Sequence, residues 1–347
     1  MATLKDVAKL AHVDVSTVSR ALNNTSYVHP DTKSRIMAAV KELSYQPNLL
    51  AKGLKQGKRK TIGIVIPKLT FSIFADVASG AEETARKHGY ASLICNTDDD
   101  KNIEKESLNR LRNGLVDGIL IVGTGGNKRL LRDIQASGIT VMQIIREQDP
   151  TLCSIVADYK AIGYHSVQHL YERGCRKIGL INGSMEIPPY AQRFQGYKKA
   201  IKEHHLEEIT AEREGFSTRD VHYGYECTLN LLENNDSVDA ILAATDAQGI
   251  GVLRALKEQH ISVPEEIKVL SMTGYQIGGA LETSLTSMEL PSFEIGTQAA
   301  EMTIRAIEAD DDHKPSLQHL EFPAHLVDRE STETVSSRTT EMETFTL

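Results

Sequence analysis

The sequence has few cysteines and no long apolar run. Its four cysteines form no CxxC pair, which argues against a zinc ribbon and is typical of reduced thiols in a cytosol. No run of about 18 apolar residues occurs, so we expect no membrane span. Asp6 lies where a signal peptide would have its apolar segment. These absences predict a cytoplasmic protein without membrane association.

The motifs of the common enzyme classes are also missing. There is no GxSxG, Walker A or paired-carboxylate motif. The glycine-rich residues 123–126 lack the GxGxxG spacing of a dinucleotide loop. His165 and His169 are four residues apart but have no glutamate-containing metal motif around them, which favours a solvated helix face. We therefore predict no enzymatic activity, no metal and no cofactor.

Charge is unevenly distributed along the chain. Residues 1–60 contain eight Lys and three Arg against three Asp and one Glu, a net charge of +7. Because the whole chain carries −8, residues 61–347 carry −15. This asymmetry indicates a nucleic-acid-binding module joined to a body that does not contact nucleic acid. The alternative is a solvated charged segment.

Three short helices are predicted in the basic segment. One apolar face predicts a helix over residues 4–11, and Asp14 can cap a second helix over residues 15–22. A third helix is predicted over residues 31–44. Two short helices with a tight turn are typical of a helix-turn-helix, whose second helix lies in the DNA major groove. After Pro47, a short helical stretch weakened by glycine should fold only on its target.

From Thr61 onward, apolar strand-like runs alternate with helical stretches. This alternation predicts parallel sheets covered on both faces, with ligands at the carboxyl ends of the strands. Two series of strands predict two lobes. The predicted strands are residues 62–66, 91–95, 118–122 and 141–145, then 178–181, 240–243 and 267–271, with helices that include residues 75–88 and 190–204.

Several motifs follow one another in a specific order and spacing. They are Thr3-Leu4-Lys5-Asp6-Val7-Ala8, Ser16-Thr17-Val18-Ser19-Arg20, Tyr45-Gln46-Pro47-Asn48, Val116-Asp117-Gly118-Ile119, Arg193-Phe194-Gln195-Gly196-Tyr197, Thr245-Asp246 and Gly274-Tyr275. With these motifs the chain resembles the LacI/GalR family of bacterial repressors up to about Glu330. The resemblance implies an N-terminal all-α helix-turn-helix DNA-binding domain, a hinge helix and an α/β two-lobed core like that of periplasmic sugar-binding proteins. It also implies a homodimer.

Pattern and resemblance together give the domain boundaries. We expect a helix-turn-helix domain at residues 1–46, a hinge helix and linker at 47–60, an effector-binding and dimerisation core at 61–330, and a disordered tail at 331–347. Within the core, the predicted lobes are residues 61–158 with 290–319, and residues 159–289 with 320–330.

The resemblance assigns DNA contacts to the second helix and the hinge. The resemblance implies base contacts by Val15, Ser16 and Arg20. Side-chain chemistry supports this, because arginine can pair bidentately with guanine and serine can donate or accept. The expected phosphate contacts are Thr17, Ser19 and Asn23. Val15 could instead be helix core, as we expect Val18 to be. Leu54 matches a leucine that the family inserts into the minor groove, where an apolar wedge kinks the duplex. The other predicted DNA-binding residues are Thr3, Tyr45, Asn48 and Ala51.

The resemblance also assigns residues to an effector. Arg193 and Asp246 match effector-binding positions, and a donor with an acceptor suits vicinal hydroxyls. Three phenylalanines match pocket walls, where a ring can stack on a sugar; the alternative is core packing. They are Phe71, Phe74 and Phe216. The remaining predicted effector-binding residues are Arg146, Asp158 and Gln276.

Three positions depart from the family pattern. Ile145 and Gln276 stand where the family has an aspartate, and Tyr159 stands where it often has an asparagine. The ligand therefore does not carry over from any one relative. With fewer acids nearby, Arg146 and Arg193 would tolerate an anionic ligand.

These observations predict a cytoplasmic, sugar-responsive transcriptional repressor that binds double-stranded operator DNA. Its effector is predicted to be a small sugar or sugar phosphate. One alternative is a catabolite-control regulator of the same fold, whose corepressor is a phosphorylated carrier protein. A second is a sugar-binding transport protein, against which the basic N-terminal segment and the missing signal peptide argue.

Overall fold

The computed structural model describes residues 2–23, 26–45, 59–212, 221–234, 238–310 and 315–333. The chain divides into two units, Met1–Lys60 and Thr61–Leu347. Within the described ranges, no helix has the length and apolar character needed to cross a membrane.

The first unit contains the three expected helices, α1 (Leu4–Leu10), α2 (Val15–Asn23) and α3 (Pro30–Glu42). A reciprocal capping box fixes the start of α1. The Thr3 hydroxyl accepts a hydrogen bond from the Asp6 main-chain N–H, and the Asp6 carboxylate accepts one from the Thr3 N–H at 2.8 Å. Apolar side chains from all three helices and the residues that follow them form one core: Val7, Ala8, Ala11, Val18, Ala21, Ile36, Ala39 and Tyr45.

The second unit contains two six-stranded sheets. The first has the order β11-β5-β4-β3-β1-β2 and is parallel throughout. Its strands are β1 (Thr61–Ile66), β2 (Ala91–Asn96), β3 (Gly118–Ile121), β4 (Thr140–Ile144), β5 (Cys153–Ala157) and β11 (His319–Phe322). The predicted strands of the first series are confirmed, since each overlaps an observed strand.

The second sheet has the order β12-β10-β9-β8-β6-β7, and only the β10–β12 pair within it is antiparallel. Its strands are β6 (Ile178–Ile181), β7 (Ile209–Ala211), β8 (Ala240–Ala243), β9 (Lys268–Gly274), β10 (Thr286–Glu289) and β12 (His325–Val327). The second predicted series is confirmed in the same way. Each sheet with its helices forms one lobe.

Helices cover the sheets, as the alternating pattern predicts. In the first lobe they are α4 (Ser72–Lys87), α5 (Lys101–Arg112), α6 (Lys128–Ala136) and α11 (Ser292–Glu308). In the second lobe they are α7 (Tyr159–Glu172), α8 (Pro188–Glu203), α9 (Val221–Asn234) and α10 (Asp246–Glu258). A short 3-10 helix, Gln276–Ala280, follows β9.

The lobe boundaries and the tail need correction. Because β11 pairs with β5, residues 320–322 belong to the first lobe. The chain passes from the first lobe to the second for the last time between Phe322 and His325. The predicted tail begins too early. The Ser331 N–H donates to the Ser284 carbonyl at 2.9 Å, and its hydroxyl donates to Val269 at 2.6 Å. Residues 331–333 are therefore part of the second lobe, and the rest of the predicted tail lies outside the described residues.

Candidate functional site

Helix α2 has one buried and one polar face. Val18 is fully buried, as expected, whereas Val15 is 41% exposed and therefore not a core residue. On the exposed face, Arg20 Nε donates to the Ser16 carbonyl at 3.3 Å, and Asn23 Nδ2 donates to the Ser19 carbonyl at 2.9 Å. These long side chains lie along the helix with charged and amide donors in solvent. The arrangement leaves Val15, Ser16 and Arg20 available to a partner.

Other residues predicted to contact DNA have structural roles. Thr3 is the N-cap of α1, and its hydroxyl also donates to the Asp6 carboxylate at 2.7 Å. Tyr45, another predicted DNA contact, is buried in the core of the first unit. Three of the predicted contacts, Asn48, Ala51 and Leu54, lie outside the described residues.

A cavity of about 70 Å³ lies between the two lobes at the carboxyl ends of the strands. Four aromatic side chains form much of its wall: Phe71, Phe74, Tyr159 and Tyr190. Its charged lining residues are Arg146, Arg193 and Asp246, all three predicted from the sequence. A site between two lobes with aromatic walls and a few charged groups suits a small ligand with both apolar and hydrogen-bonding faces.

Arg193 is the buried cation of the second lobe. Its guanidinium lies over the Tyr159 ring at 4.9 Å and the Tyr190 ring at 5.7 Å, and burial lowers its pKa. Nη1 donates to the Ala244 carbonyl at 3.3 Å, but the buried Nε has no hydrogen-bond partner among the described residues. A buried donor without a partner is costly, so a ligand acceptor in the cavity would satisfy it.

Close helix packing fixes the position of Arg193. A Cβ on Gly163 in α7 would lie 2.1 Å from the Arg193 carbonyl oxygen, so only glycine permits this approach. Gly196 in α8 makes the reciprocal approach to the Lys160 carbonyl. Arg193 therefore projects from a rigid pair of helices rather than from a loop, as precise ligand positioning requires.

Asp246 is the first residue of α10, where the helix dipole favours a carboxylate. Burial raises its pKa, whereas hydrogen bonds from the Ala247 main-chain N–H and from the Ser72 hydroxyl lower it. Ser72 belongs to the first lobe, so the contact crosses the cleft. Asp246 thus supplies an acceptor between the lobes.

Arg146 occupies the first-lobe side of the cavity. It forms a bidentate ion pair with Asp99, with distances of 2.7 Å for Nη1–Oδ1 and 3.0 Å for Nη2–Oδ2. Nη1 also donates to the Gly123 carbonyl at 3.3 Å. The expectation that Arg146 has few acids nearby is therefore wrong, because Asp99 is far away in sequence and reaches it only through the fold.

A second contact between the lobes involves Asp76, which the sequence analysis did not identify. The Tyr275 hydroxyl, just after β9, donates to Asp76 Oδ1 in α4 at 2.9 Å. Burial raises the pKa of Asp76, and this hydrogen bond lowers it. With the Ser72–Asp246 contact, it joins the lobes on this side of the cavity.

The other predicted effector-binding residues lie elsewhere. Asp158 caps α7 by accepting a hydrogen bond from the Ala161 N–H at 2.7 Å, and it does not line the cavity. Gln276 is exposed at the start of the 3-10 helix and is also absent from the lining. Phe216 lies outside the described residues. The described part of the chain contains no group of three or more potential metal ligands.

Comparison with known proteins places the chain among regulators. Residues 3–48 match the family model described as bacterial regulatory proteins of the lacI family, and residues 167–332 match a periplasmic binding protein-like domain. The ribose operon repressor of Halalkalibacterium halodurans is 30% identical over 335 residues, which cover 96% of this chain and 97% of that protein.

Solved structures share the fold. A lac repressor dimer bound to operator and the anti-inducer ONPF has a TM-score of 0.84 at 22% identity, covering 96% of this chain and 99% of that chain. A periplasmic binding protein/LacI transcriptional regulator from Alkaliphilus metalliredigens, complexed with D-xylulofuranose, has a TM-score of 0.69 at 27% identity. The match covers 79% of this chain and 100% of that one.

Proposed function

Because this chain belongs to the LacI family of bacterial regulatory proteins, we propose that it is the cytoplasmic repressor of a sugar-utilisation operon. It binds a near-palindromic operator as a homodimer, and a small sugar in the cleft between the lobes changes its affinity for DNA. The observation that carries this proposal is the coexistence of an exposed polar face on α2 with an aromatic-walled cavity in a separate unit.

The basic first unit supports operator binding. Its net charge of +7 favours phosphate contacts, which supply affinity without sequence preference. The exposed side chains of Ser16 and Arg20 on α2 can contact base edges in the major groove. One short helix contacts too few bases for specificity, so a dimer on two half-sites is expected.

Two apolar surfaces of the core support the homodimer. Leu93 and Ile94 are 40% and 45% exposed on β2, the edge strand of the first sheet. The second lobe has a surface cavity of about 420 Å³, whose lining includes the Lys257–Glu282 ion pair and several apolar residues. The apolar residues are Ile250, Leu253, Ile261, Val263 and Leu281. A second copy of the chain would cover both surfaces and shield the exposed strand edge.

The cavity supports a sugar effector. Aromatic rings can stack on the C–H face of a sugar, while Arg193 donates and Asp246 accepts hydrogen bonds. A ligand that binds two conformations unequally shifts their populations. Because Arg193 and Asp246 belong to the second lobe and Phe71 and Phe74 to the first, ligand affinity depends on how the lobes meet.

The proposal is tested by selecting operator sequences with the full-length chain from randomised duplex DNA. A panel of pentoses, hexoses and disaccharides is then titrated into the protein–operator complex. We expect a palindromic site whose affinity falls steeply with salt, and one sugar that changes binding at least tenfold. A response to a phosphorylated carrier protein alone, without any sugar, would favour the catabolite-control alternative and overturn the sugar effector.

A further inference from the structure

The ionic groups in and behind the cleft balance one another. Arg146, Arg193 and Asp246 are the charged lining residues, and Asp99 pairs with Arg146 from behind the cavity wall. Two positive and two negative side chains therefore give this site no net charge. A phosphate or carboxylate group entering it would meet the Asp246 carboxylate, Arg146 that is already paired, and Arg193, which has no ion-pair partner among the described residues.

From this balance we propose that Asp99 determines the charge of the ligand. By neutralising Arg146, it restricts the cleft to uncharged polyhydroxylated compounds and excludes their phosphorylated or acidic derivatives. The inference rests on the proposed function, because it assigns a ligand class to the same cleft.

The ion pair is part of the wall rather than a surface contact. The side chains of Arg146 and Asp99 are only 4% and 10% exposed, and both guanidinium Nη atoms are bonded to the carboxylate. Bidentate geometry and burial make this pair much stronger than an exposed one, since little water screens it. An incoming anion would have to compete with a partner that is already in place.

The backbone has positive φ angles at Asp99 and at the residue before Arg146. Asp99 has φ +60°, and Ile145, which precedes Arg146, has φ +65°. A β-branched residue rarely adopts this conformation and requires surrounding contacts to hold it. Ile145 has two such contacts, because its N–H donates to Ile155 at 2.8 Å and its carbonyl accepts from the Tyr159 hydroxyl at 3.0 Å. This turn directs Arg146 toward Asp99 and the cavity.

The donor left for a ligand is also suited to a hydroxyl. Nε of Arg193 is buried beside the cavity without a hydrogen-bond partner in the described ranges. One N–H can bond a neutral oxygen without further charge compensation. A buried phosphate would require several donors and a matching positive charge, which Arg193 alone would have to supply because Arg146 is already paired.

Asp99→Asn is the decisive variant, because asparagine keeps the shape and tolerates positive φ. Asp98→Asn is its matched control, since Asp98 is an exposed neighbour with φ +50°. Calorimetry measures the affinity of the full-length proteins for inorganic phosphate, at constant ionic strength in chloride. We expect Asp99→Asn to bind phosphate at least tenfold more tightly than the wild type or Asp98→Asn. Adding Arg146→Met to Asp99→Asn should abolish this gain.

Two results would overturn the inference: no gain in phosphate affinity in Asp99→Asn, or wild-type phosphate binding of equal strength that depends on Arg146. A wild-type comparison of D-ribose with D-ribose 5-phosphate, and D-glucose with D-glucose 6-phosphate, is independent of how the variant folds. Operator release by a sugar phosphate, but not by its parent sugar, would refute the charge restriction and leave the proposed repressor intact. Release by neither class would refute the sugar effector, while the phosphate measurement still decides the role of Asp99.

Discussion

Tyr275 and Asp76 lie in different lobes and are joined by a hydrogen bond of 2.9 Å. Tyr275 follows the last residue of β9, and Asp76 lies one turn into α4. Because the two lobes contribute opposite walls of the cavity, a bond between them stabilises the arrangement that encloses a ligand. Binding of that ligand and closure of the cleft should therefore be coupled.

Tyr275→Phe removes this bond and keeps the ring. We expect effector affinity to fall about fivefold to tenfold, since a hydrogen bond contributes about 1 kcal/mol net. Tyr225→Phe is the matched control, because the Tyr225 hydroxyl donates to Glu258 at 2.7 Å within the second lobe alone. Calorimetry with the cognate sugar measures both affinities. An equal loss in the two variants would contradict a specific role in closure.

The sequence predicts much of the fold because its signals are local. Apolar runs such as residues 118–122 are long enough to indicate buried strands, and the Thr3–Asp6 spacing marks the start of α1. Short edge elements are harder to predict. Strands β7 and β12 have three residues each, too few for any periodicity to appear.

The candidate site was only partly predictable. Arg193 and Asp246 belong to recognisable sequence motifs, and both line the cavity. Asp99 and Asp76 belong to no recognisable sequence motif, because their roles depend on Arg146 and Tyr275, which are 47 and 199 residues away. Asp158 is a different case: this acid after a strand matched a family position, and in the structure its carboxylate is the N-cap of helix α7. Tertiary contacts therefore decide the roles of Asp99 and Asp76.

Arg193→Ala and Asp246→Asn should impair the effector response and preserve operator binding. Each removes one charge-assisted hydrogen bond to the ligand, which corresponds to roughly 1.5–3 kcal/mol, or about tenfold to hundredfold in affinity. Arg110→Ala is a control for charge removal, since Arg110 is exposed on α5. The measurement is operator release as a function of sugar concentration. If Arg193→Ala responds at wild-type concentrations, the ligand does not contact Arg193.

Arg20→Ala should weaken specific operator binding more than nonspecific binding. Loss of a bidentate base contact costs about 1–3 kcal/mol and relaxes discrimination at one base pair. Arg35→Ala removes the same charge from an exposed position on α3 and serves as the control. Competition assays with operator and with random duplex separate the two effects. Parallel losses on both DNAs would assign Arg20 to phosphate contacts instead.

Ile94→Asp should convert the proposed homodimer into folded monomers. The Ile94 side chain is exposed on the edge strand β2, so a carboxylate there costs little in the isolated chain. In a dimer it would be buried against apolar groups without a partner, which is strongly unfavourable. Leu115→Asp places the same charge at a similarly exposed residue before β3 and is the control. Analytical ultracentrifugation measures the mass of both variants.

Because a monomer can occupy only one half-site, Ile94→Asp should also lose at least tenfold in operator affinity. Its affinity for an isolated half-site should equal that of the wild type. A variant that remains dimeric would exclude β2 from the subunit interface.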